Sequence, residues 1–498
     1  MITQILKTDS ADKMPILCNQ KNKMVENIIN EKNINKILEE TKTPSKEAVR
    51  VILQEARKMK GLSPEDAGFL VNLSDLKLIQ ELLDTAGWVK NEVYGERLVF
   101  FAPLYVSDFC INDCDYCNFH SRNMAFKRKR LSLADVEEQT KILISMGHKR
   151  VLVEFGEDPL NNNIDYVTKI IDKIYSVKTD KGSIRRINVN IAATTVENYR
   201  KLKKAKIGTY QLFQETYHRN TYEKIHHGPK ADYLRQITAY GRAFEAGIDD
   251  LGIGVLFGLY DWRFEVLALI THAWYLDQKY KIGPHTISVP RIREAATVNL
   301  KFPYKVSDND FLKLIAILRL AVPYTGMIIS TRESPEIRSQ AFKIGISQAS
   351  AGSCTTVGGY GKESGLSQFK VQDERALEEV VNDAIKDRFL PSFCTACYRL
   401  GRTGEEFMEI SKPGEIHNFC RSNGILTFAE YLEDFFNASN ESTIDTERAK
   451  ASQSAYGIYE KGYQVIRTYL DKIEDSSLRQ KTRAYLDEIK QGKRDLYF

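Results

Sequence analysis

From Arg97 to about residue 353 the chain alternates short β-branched or apolar runs with amphipathic stretches of twelve to twenty residues, and this alternation restricts the fold more than any other feature. A short apolar run bounded by turn residues reads as a strand, and a longer segment with period 3.6 reads as a helix. Strands separated by helices are parallel, because the helix carries the chain back to where the previous strand began. Eight runs fit: 97–107 (RLVFFAPLYVS), 150–157 (RVLVEFGE), 185–194 (RRINVNIAAT), 208–215 (GTYQLFQE), 250–259 (DLGIGVLFGL), 285–292 (HTISVPRI), 325–334 (TGMIISTRES) and 345–353 (GISQASAGS). Eight such units predict an α/β fold, a (β/α)8 barrel of the TIM type, with functional groups on the loops at the carboxyl ends of the strands. The flanks read differently. Residues 1–95 carry Lys, Glu, Asn and Ile at helical spacing, as in NKMVENIINEKNINKILEE and SKEAVRVILQEARKMKG, and Ser63-Pro64-Glu65-Asp66 has the form of a capped helix start. This predicts a helical N-terminal layer (1–95), a barrel (96–373) and a helical C-terminal domain (374–498). That last part begins with DERALEEVVNDAIKDRF and ends in stretches such as FAEYLEDFF, whose charge alternation suits a solvated face.

The barrel reading sharpens at residues 109–120, FCINDCDYCNFH, where Cys110, Cys114 and Cys117 follow the first strand directly. Soft thiolates suit iron-sulfur clusters and zinc. A structural zinc is normally closed by a fourth protein ligand, so three cysteines without one point to a cluster with one iron left open. His120 is the candidate that would close the set as zinc. A second triplet, Cys394, Cys397 and Cys420, has the spacing C-x2-C-x22-C, and there a zinc knuckle completed by His417 is the alternative to iron. Two structural zincs would make the chain a metal-stabilised scaffold instead of an enzyme. Eight cysteines in 498 residues are too few for a disulfide framework, and six of them fall in these two groups, leaving Cys18 and Cys354 as ordinary thiols. This usage suits a reducing compartment, and with no apolar run of membrane length and no signal-peptide core the expectation is a cytoplasmic protein. A net charge of +5 over this length is no nucleic-acid footprint.

One further charged run stands out. Ser330-Thr331-Arg332-Glu333 closes the seventh strand, where a charge faces the barrel mouth more readily than the core. Arg332 is placed there to grip an amino-acid carboxylate, or else to pair with Glu333 or Glu336.

The first triplet at the end of a first barrel strand resembles the radical S-adenosylmethionine (SAM) superfamily. The resemblance implies a 4Fe-4S cluster whose open iron binds SAM, and cleavage of SAM by one electron to a 5'-deoxyadenosyl radical that takes hydrogen from the substrate. It also implies that Tyr116 packs on the adenine, unless it only packs the loop. Gly156-Glu157-Asp158-Pro159 resembles the superfamily's Gly-Gly-Glu motif with Phe155 in place of the first glycine, making Glu157 a SAM contact; Glu215 and Arg242 are further SAM candidates, with a surface ion pair as the alternative for Arg242. Together with FGLYDWR, GPHTISVPRIR, STRES and the second triplet, these motifs resemble, over about residues 90 to 425, the tyrosine lyases that mature di-iron hydrogenase. The thiamine-pathway tyrosine lyase is the nearest rival, and it lacks the second triplet. This resemblance implies cleavage of L-tyrosine to p-cresol and dehydroglycine, with Arg332 on the tyrosine carboxylate, followed by CO and cyanide formation on iron. It further implies a C-terminal iron-sulfur cluster with an additional iron on a histidine, His285 ahead of His272, a reducing electron donor, and hydrogenase maturation carrier proteins as partners.

Overall fold

Strand β1, Arg97–Ser107, is buried along its whole length, as expected of a strand covered on both faces. In this computed structural model, which describes residues 28–293, 295, 297–298, 304–362, 367–437 and 446–498 (without the side chains of 446–456), β1 closes an eight-stranded parallel barrel. The others are β2 (Arg150–Phe155), β3 (Arg186–Asn190), β4 (Tyr210–Gln211), β5 (Leu251–Gly254), β6 (Thr286–Ser288), β7 (Gly326–Ile329) and β8 (Gln348–Ser350). They are hydrogen-bonded in sequence order, and β8 returns to β1 with Val99 opposite Gln348 and Phe101 opposite Ser350. All eight expected runs hold a strand. β1 has the expected bounds, and the other seven are shorter because the ends of their runs leave the sheet.

A ninth strand, β9 (Leu390–Ser392), lies where the sequence suggests only helix. It pairs parallel with the start of β1, Arg97 opposite Leu390 and Val99 opposite Ser392. That part of β1 is free because β2 pairs only from Ala102 upward. Three residues with a proline in the middle carry no period-2 signal, which is why the sequence does not announce this strand.

Among the described N-terminal residues, helices Glu31–Glu40, Pro64–Val71 and Leu76–Tyr94 pack against the barrel helices Trp262–Tyr280 and Asp308–Ala321, and helix Lys46–Ala56 packs on Pro64–Val71 and Leu76–Tyr94. Ser63 and Asp66 form the reciprocal cap expected at the start of Pro64–Val71. Cys18 and residues 22–27 of the first helical stretch lie outside the described residues. At the other end, helix Ile416–Phe435 is buried on nearly all sides, and FAEYLEDFF is therefore no solvated face. Its acids are matched instead: Glu430 takes Arg185 Nη1 at 3.1 Å, and Glu433 accepts from the hydroxyls of Tyr459 (2.7 Å) and Tyr463 (2.5 Å). No described helix is long and apolar enough to cross a membrane.

Candidate active site and second cysteine site

Cys110, Cys114 and Cys117 stand on the loop leaving β1 and line one cavity of about 780 Å³ together with Tyr116, Glu157, Glu215 and Lys230. The loop is held by its backbone: Ile111 donates to Glu157 O (2.8 Å), Asp113 to His227 O (3.1 Å) and Asp115 to Ile225 O (3.0 Å). Asn112, which sequence reasoning passed over, ties three elements at once. Its Nδ2 donates to Glu157 Oε2 at 2.6 Å, and its Oδ1 accepts from the backbone N–H of Lys230 at 2.8 Å. A short amide between ligand-spaced cysteines, able to donate and accept, is the signal that would have found it. Gly156 lets the loop sit this close, since a Cβ there would lie 2.3 Å from the carbonyl oxygen of Phe109 and 3.1 Å from Cys110 Cβ. Gly156→Ala is therefore expected to cost about 1–3 kcal/mol of local overpacking, read as a lower iron content after anaerobic reconstitution. Unchanged iron would mean that the loop yields freely.

Burial and repulsion by neighbouring thiols raise Cys114 and Cys117, the latter to about 11, with Lys230 pulling both the other way. Such thiols ionise when a soft cation takes the proton's place, which is what metal binding does. His120, the candidate fourth ligand, has Nδ1 on Asp113 Oδ1 at 2.9 Å. Among the described residues no three His, Cys, Asp or Glu side chains converge as the ligands of a single ion do. Three soft thiols spread around one cavity wall suit the larger body of a cluster.

Glu157 is held by Asn112 and by Arg235 Nη2 (2.5 Å). Glu215 sits at φ +67° with its carboxylate on Lys230 Nζ at 2.7 Å. The Tyr116 hydroxyl meets His226 Nε2 at 2.9 Å, with the two rings edge to face. Arg242 is different. Its Nε donates to Thr194 O (2.8 Å), its Nη1 to Thr238 Oγ1 (2.7 Å) and its Nη2 to Arg235 O (2.6 Å), and it lines neither this cavity nor the next. The guanidinium expected at SAM braces the loop after β3 and the helix that carries Arg235. Arg235 is the arginine the structure brings to Glu157.

A second cavity of about 1040 Å³ continues into the barrel and shares Tyr105, Tyr116, Cys117, Glu154 and Glu215 with the first. Arg332 reaches into it from the end of β7, its guanidinium 3.3 Å from the centroid of the Phe369 ring. The alternative pairing with Glu333 or Glu336 is not made. Glu333 is taken by Arg291 (Nε to Oε1, 3.1 Å) and Arg293 (Nη2 to Oε2, 2.6 Å), and Glu336 is exposed. Burial lowers the Arg332 pKa against the pull of Tyr105 and Glu215. On β2, Glu154 lines the same cavity, and burial pushes its carboxyl up to about 8 although Arg332 and Asn190 favour ionisation.

The second triplet lies at the other end of β1. Cys394 follows β9, Cys397 is on the short helix Ala396–Arg399, and Cys420 is buried in helix Ile416–Phe435. Arg97, the first residue of β1, is influenced by all three thiols, and Arg402 favours ionisation of Cys397 and Cys420. Eleven residues of extended chain separate this end from the first loop, on the order of 30 Å. His417 has Nδ1 on Gly414 O at 2.7 Å. His285 stacks on Phe407 at 3.9 Å and on Tyr398, the neighbour of Cys397, at 5.3 Å. Its Nδ1 is buried without a hydrogen bond, 3.5 Å from Asp250 Oδ2. His272 packs elsewhere, with Nδ1 on the Tyr217 hydroxyl at 2.7 Å. The described cysteines are all free.

Residues 104–269 match the model of the radical SAM superfamily and residues 288–387 that of the Biotin and Thiamin Synthesis associated domain. The 2-iminoacetate synthase of Escherichia coli (strain K12) is 31% identical over 322 residues, which is 64% of this chain and 81% of that relative. A crystal structure of HydG, a maturase of the FeFe-hydrogenase, has a TM-score of 0.88 at 49% identity and covers 95% of this chain and 100% of its own. The FeFe-hydrogenase maturase HydG from Carboxydothermus hydrogenoformans has a TM-score of 0.78 at 39% identity, over 93% and 98%. The synthase match leaves about a third of the chain unpaired, whereas both HydG structures run nearly its whole length. The chain belongs to the HydG family of the radical SAM superfamily.

Proposed function

We propose that this chain cleaves the Cα–Cβ bond of L-tyrosine to p-cresol and dehydroglycine, and that the glycine-derived fragment is then converted to CO and cyanide on iron for the FeFe-hydrogenase active site. The observation that carries the reading is Arg332: a guanidinium set in the cavity beside the first triplet, stacked on Phe369, with no carboxylate partner among the described residues. A fixed planar fork of this kind is matched to a ligand carboxylate.

A 4Fe-4S cluster with SAM on its open iron supplies, once reduced, the hydrogen-abstracting radical. The chain's own residues do the rest. Cys110, Cys114 and Cys117 hold the cluster, while Tyr116, Glu157 and Glu215 line the space for SAM, the two carboxylates fixed by Asn112, Arg235 and Lys230. The continuous wall from Cys117 to Arg332 keeps substrate and cofactor in adjoining parts of one space. At the far end Cys394, Cys397 and Cys420 would hold a second iron-sulfur cluster, with Arg97 and Arg402 offsetting thiolate charge, and His285, whose ring is fixed by stacking on Phe407, would be the ligand for the additional iron. An external reducing donor and hydrogenase maturation carrier proteins complete the reading, and the free thiols suit the cytoplasm.

Arg332→Ala is the direct test. Losing a charge-assisted bidentate contact is worth on the order of 1.5 to 3 kcal/mol, so the KM for tyrosine should rise tenfold or more while SAM affinity stays near wild type. A variant that binds SAM poorly and tyrosine normally would show that Arg332 serves the other ligand.

A further inference from the structure

Among the described residues, four charged side chains line the deeper cavity: Glu154, Glu215, Arg293 and Arg332. Two of them are already neutralised by residues around the cavity. Glu215 is on Lys230 at 2.7 Å, and Arg293 is on Glu333 at 2.6 Å. That leaves one cation and one acid, Arg332 and Glu154. They act on each other electrostatically, yet no ion pair closes between them among the described residues. Opposite charges that share an enclosed space and stay apart leave a gap with a carboxylate-seeking side and an ammonium-seeking side.

The strand register holds Glu154 in that gap. On β2, Leu152 and Glu154 point into the cavity, in keeping with the two-residue period of a strand. Glu154 is paired with Tyr105 of β1 on one side and Asn190 of β3 on the other. Tyr105 gives its hydroxyl to Gln368 Oε1 at 2.9 Å, so it makes no claim on the carboxyl, and Asn190, opposite Glu154 on β3, favours its ionised form. The carboxyl thus keeps acceptor capacity facing the cavity. Burial favours the protonated carboxyl even with Arg332 across the cavity, and an arriving ammonium group would shift that balance toward the carboxylate.

We propose that Glu154 receives the α-ammonium group of the amino-acid substrate, facing Arg332 so that both charged ends of the zwitterion are gripped at once. This rests on the tyrosine reading above and assigns it a second anchor. Two anchors at fixed separation fix the direction of the Cα–Cβ bond, which one carboxylate contact alone leaves free to swing.

The experiment uses the anaerobically reconstituted full chain with SAM and no reductant, so that nothing turns over. Equilibrium binding is measured for L-tyrosine, for 3-(4-hydroxyphenyl)propanoate, which lacks the ammonium, and for tyramine, which lacks the carboxylate. Wild-type protein should prefer tyrosine to either analogue by roughly tenfold or more. In Glu154→Gln the preference over the propanoate should vanish while the preference over tyramine remains; in Glu154→Asp part of the first preference should return. Iron content and SAM binding serve as checks that each variant is folded and loaded. A Gln variant that weakens all three ligands equally, or that keeps the full preference over the propanoate, overturns the role of Glu154 and leaves the tyrosine reading standing. Wild-type protein that binds none of the three overturns both.

Discussion

In the variant with Cys110, Cys114 and Cys117 all changed to Ala, 5'-deoxyadenosine formation from SAM is expected to fall to background. The three thiols are the soft donors on the first cavity, and the described histidines bonded to this loop are committed, His120 to Asp113, His226 to Tyr116 and the Tyr222 carbonyl, and His227 to Asp115. Among the described residues nothing in the cavity replaces sulfur as a cluster ligand, because the remaining lining is carboxylate, amide, aromatic, aliphatic and lysine. The second triplet is anchored on β9 and on helix Ile416–Phe435, apart from the substituted loop, so part of the iron should remain after reconstitution. The loop should stay in place through Asn112, which keeps its bonds to Glu157 and to the Lys230 backbone while losing only its 3.8 Å contact with Cys110 Sγ. Chromatographic assay for 5'-deoxyadenosine decides the matter: formation at the wild-type rate would sink the assignment of the first site.

Changing Cys394 and Cys397 to Ser should split the activity in two. Tyrosine cleavage depends on residues at the carboxyl ends of the strands, all at the opposite end of β1 from these cysteines, so p-cresol is expected at a substantial fraction of the wild-type yield. CO and infrared bands of iron-bound diatomics should disappear, since serine oxygen is a poor substitute for thiolate on a soft cluster and leaves no iron on which the fragment can be retained. Cyanide is expected to survive in part, its release needing no iron. The measurement is p-cresol by chromatography alongside CO trapped with a haem protein. Undiminished CO beside undiminished p-cresol would reject a catalytic role for the second triplet and leave a plain tyrosine lyase with a structural metal site.

The barrel was legible because its strands are buried on both faces and so read as unbroken apolar runs, from RLVFFAPLYV in β1 to GMII in β7. The cysteines were legible because a metal ligand set is written as spacing within a few residues. What depends on which distant carbonyl or carboxylate arrives first was not legible. Arg242 had the right residue type for SAM, but Thr194 O and Arg235 O take its donors. For Arg332 the sequence neighbours Glu333 and Glu336 were the obvious partners, and Glu333 instead faces Arg291 and Arg293 from the loop after β6. Glu154 could have been noticed, since it breaks an apolar run at an inward position of β2. Lys230 and Arg235 could not: both lie in short helical turns, Pro229–Ala231 and Tyr233–Ile237, whose position over the barrel mouth is a tertiary fact.

The pairing of β9 beside β1 has a consequence for how the chain is made. β1 is the first barrel strand to leave the ribosome, yet its partners at Val99, namely Gln348 of β8 and Ser392 of β9, come late. Loop closure over so long a stretch is slow, and a strand with unmet edges is a template for wrong pairing while it waits. The first three cysteines, immediately after β1, therefore spend most of synthesis on a half-built sheet. They emerge long before the wall behind them closes, whereas Cys394 and Cys397 emerge within a few residues of the strand that finishes it. Premature metal on the early triplet would meet a chain still short of β8 and β9, so iron delivery is best timed after translation ends. Heterologous production should accordingly reward slow elongation and late iron more than a high level of expression.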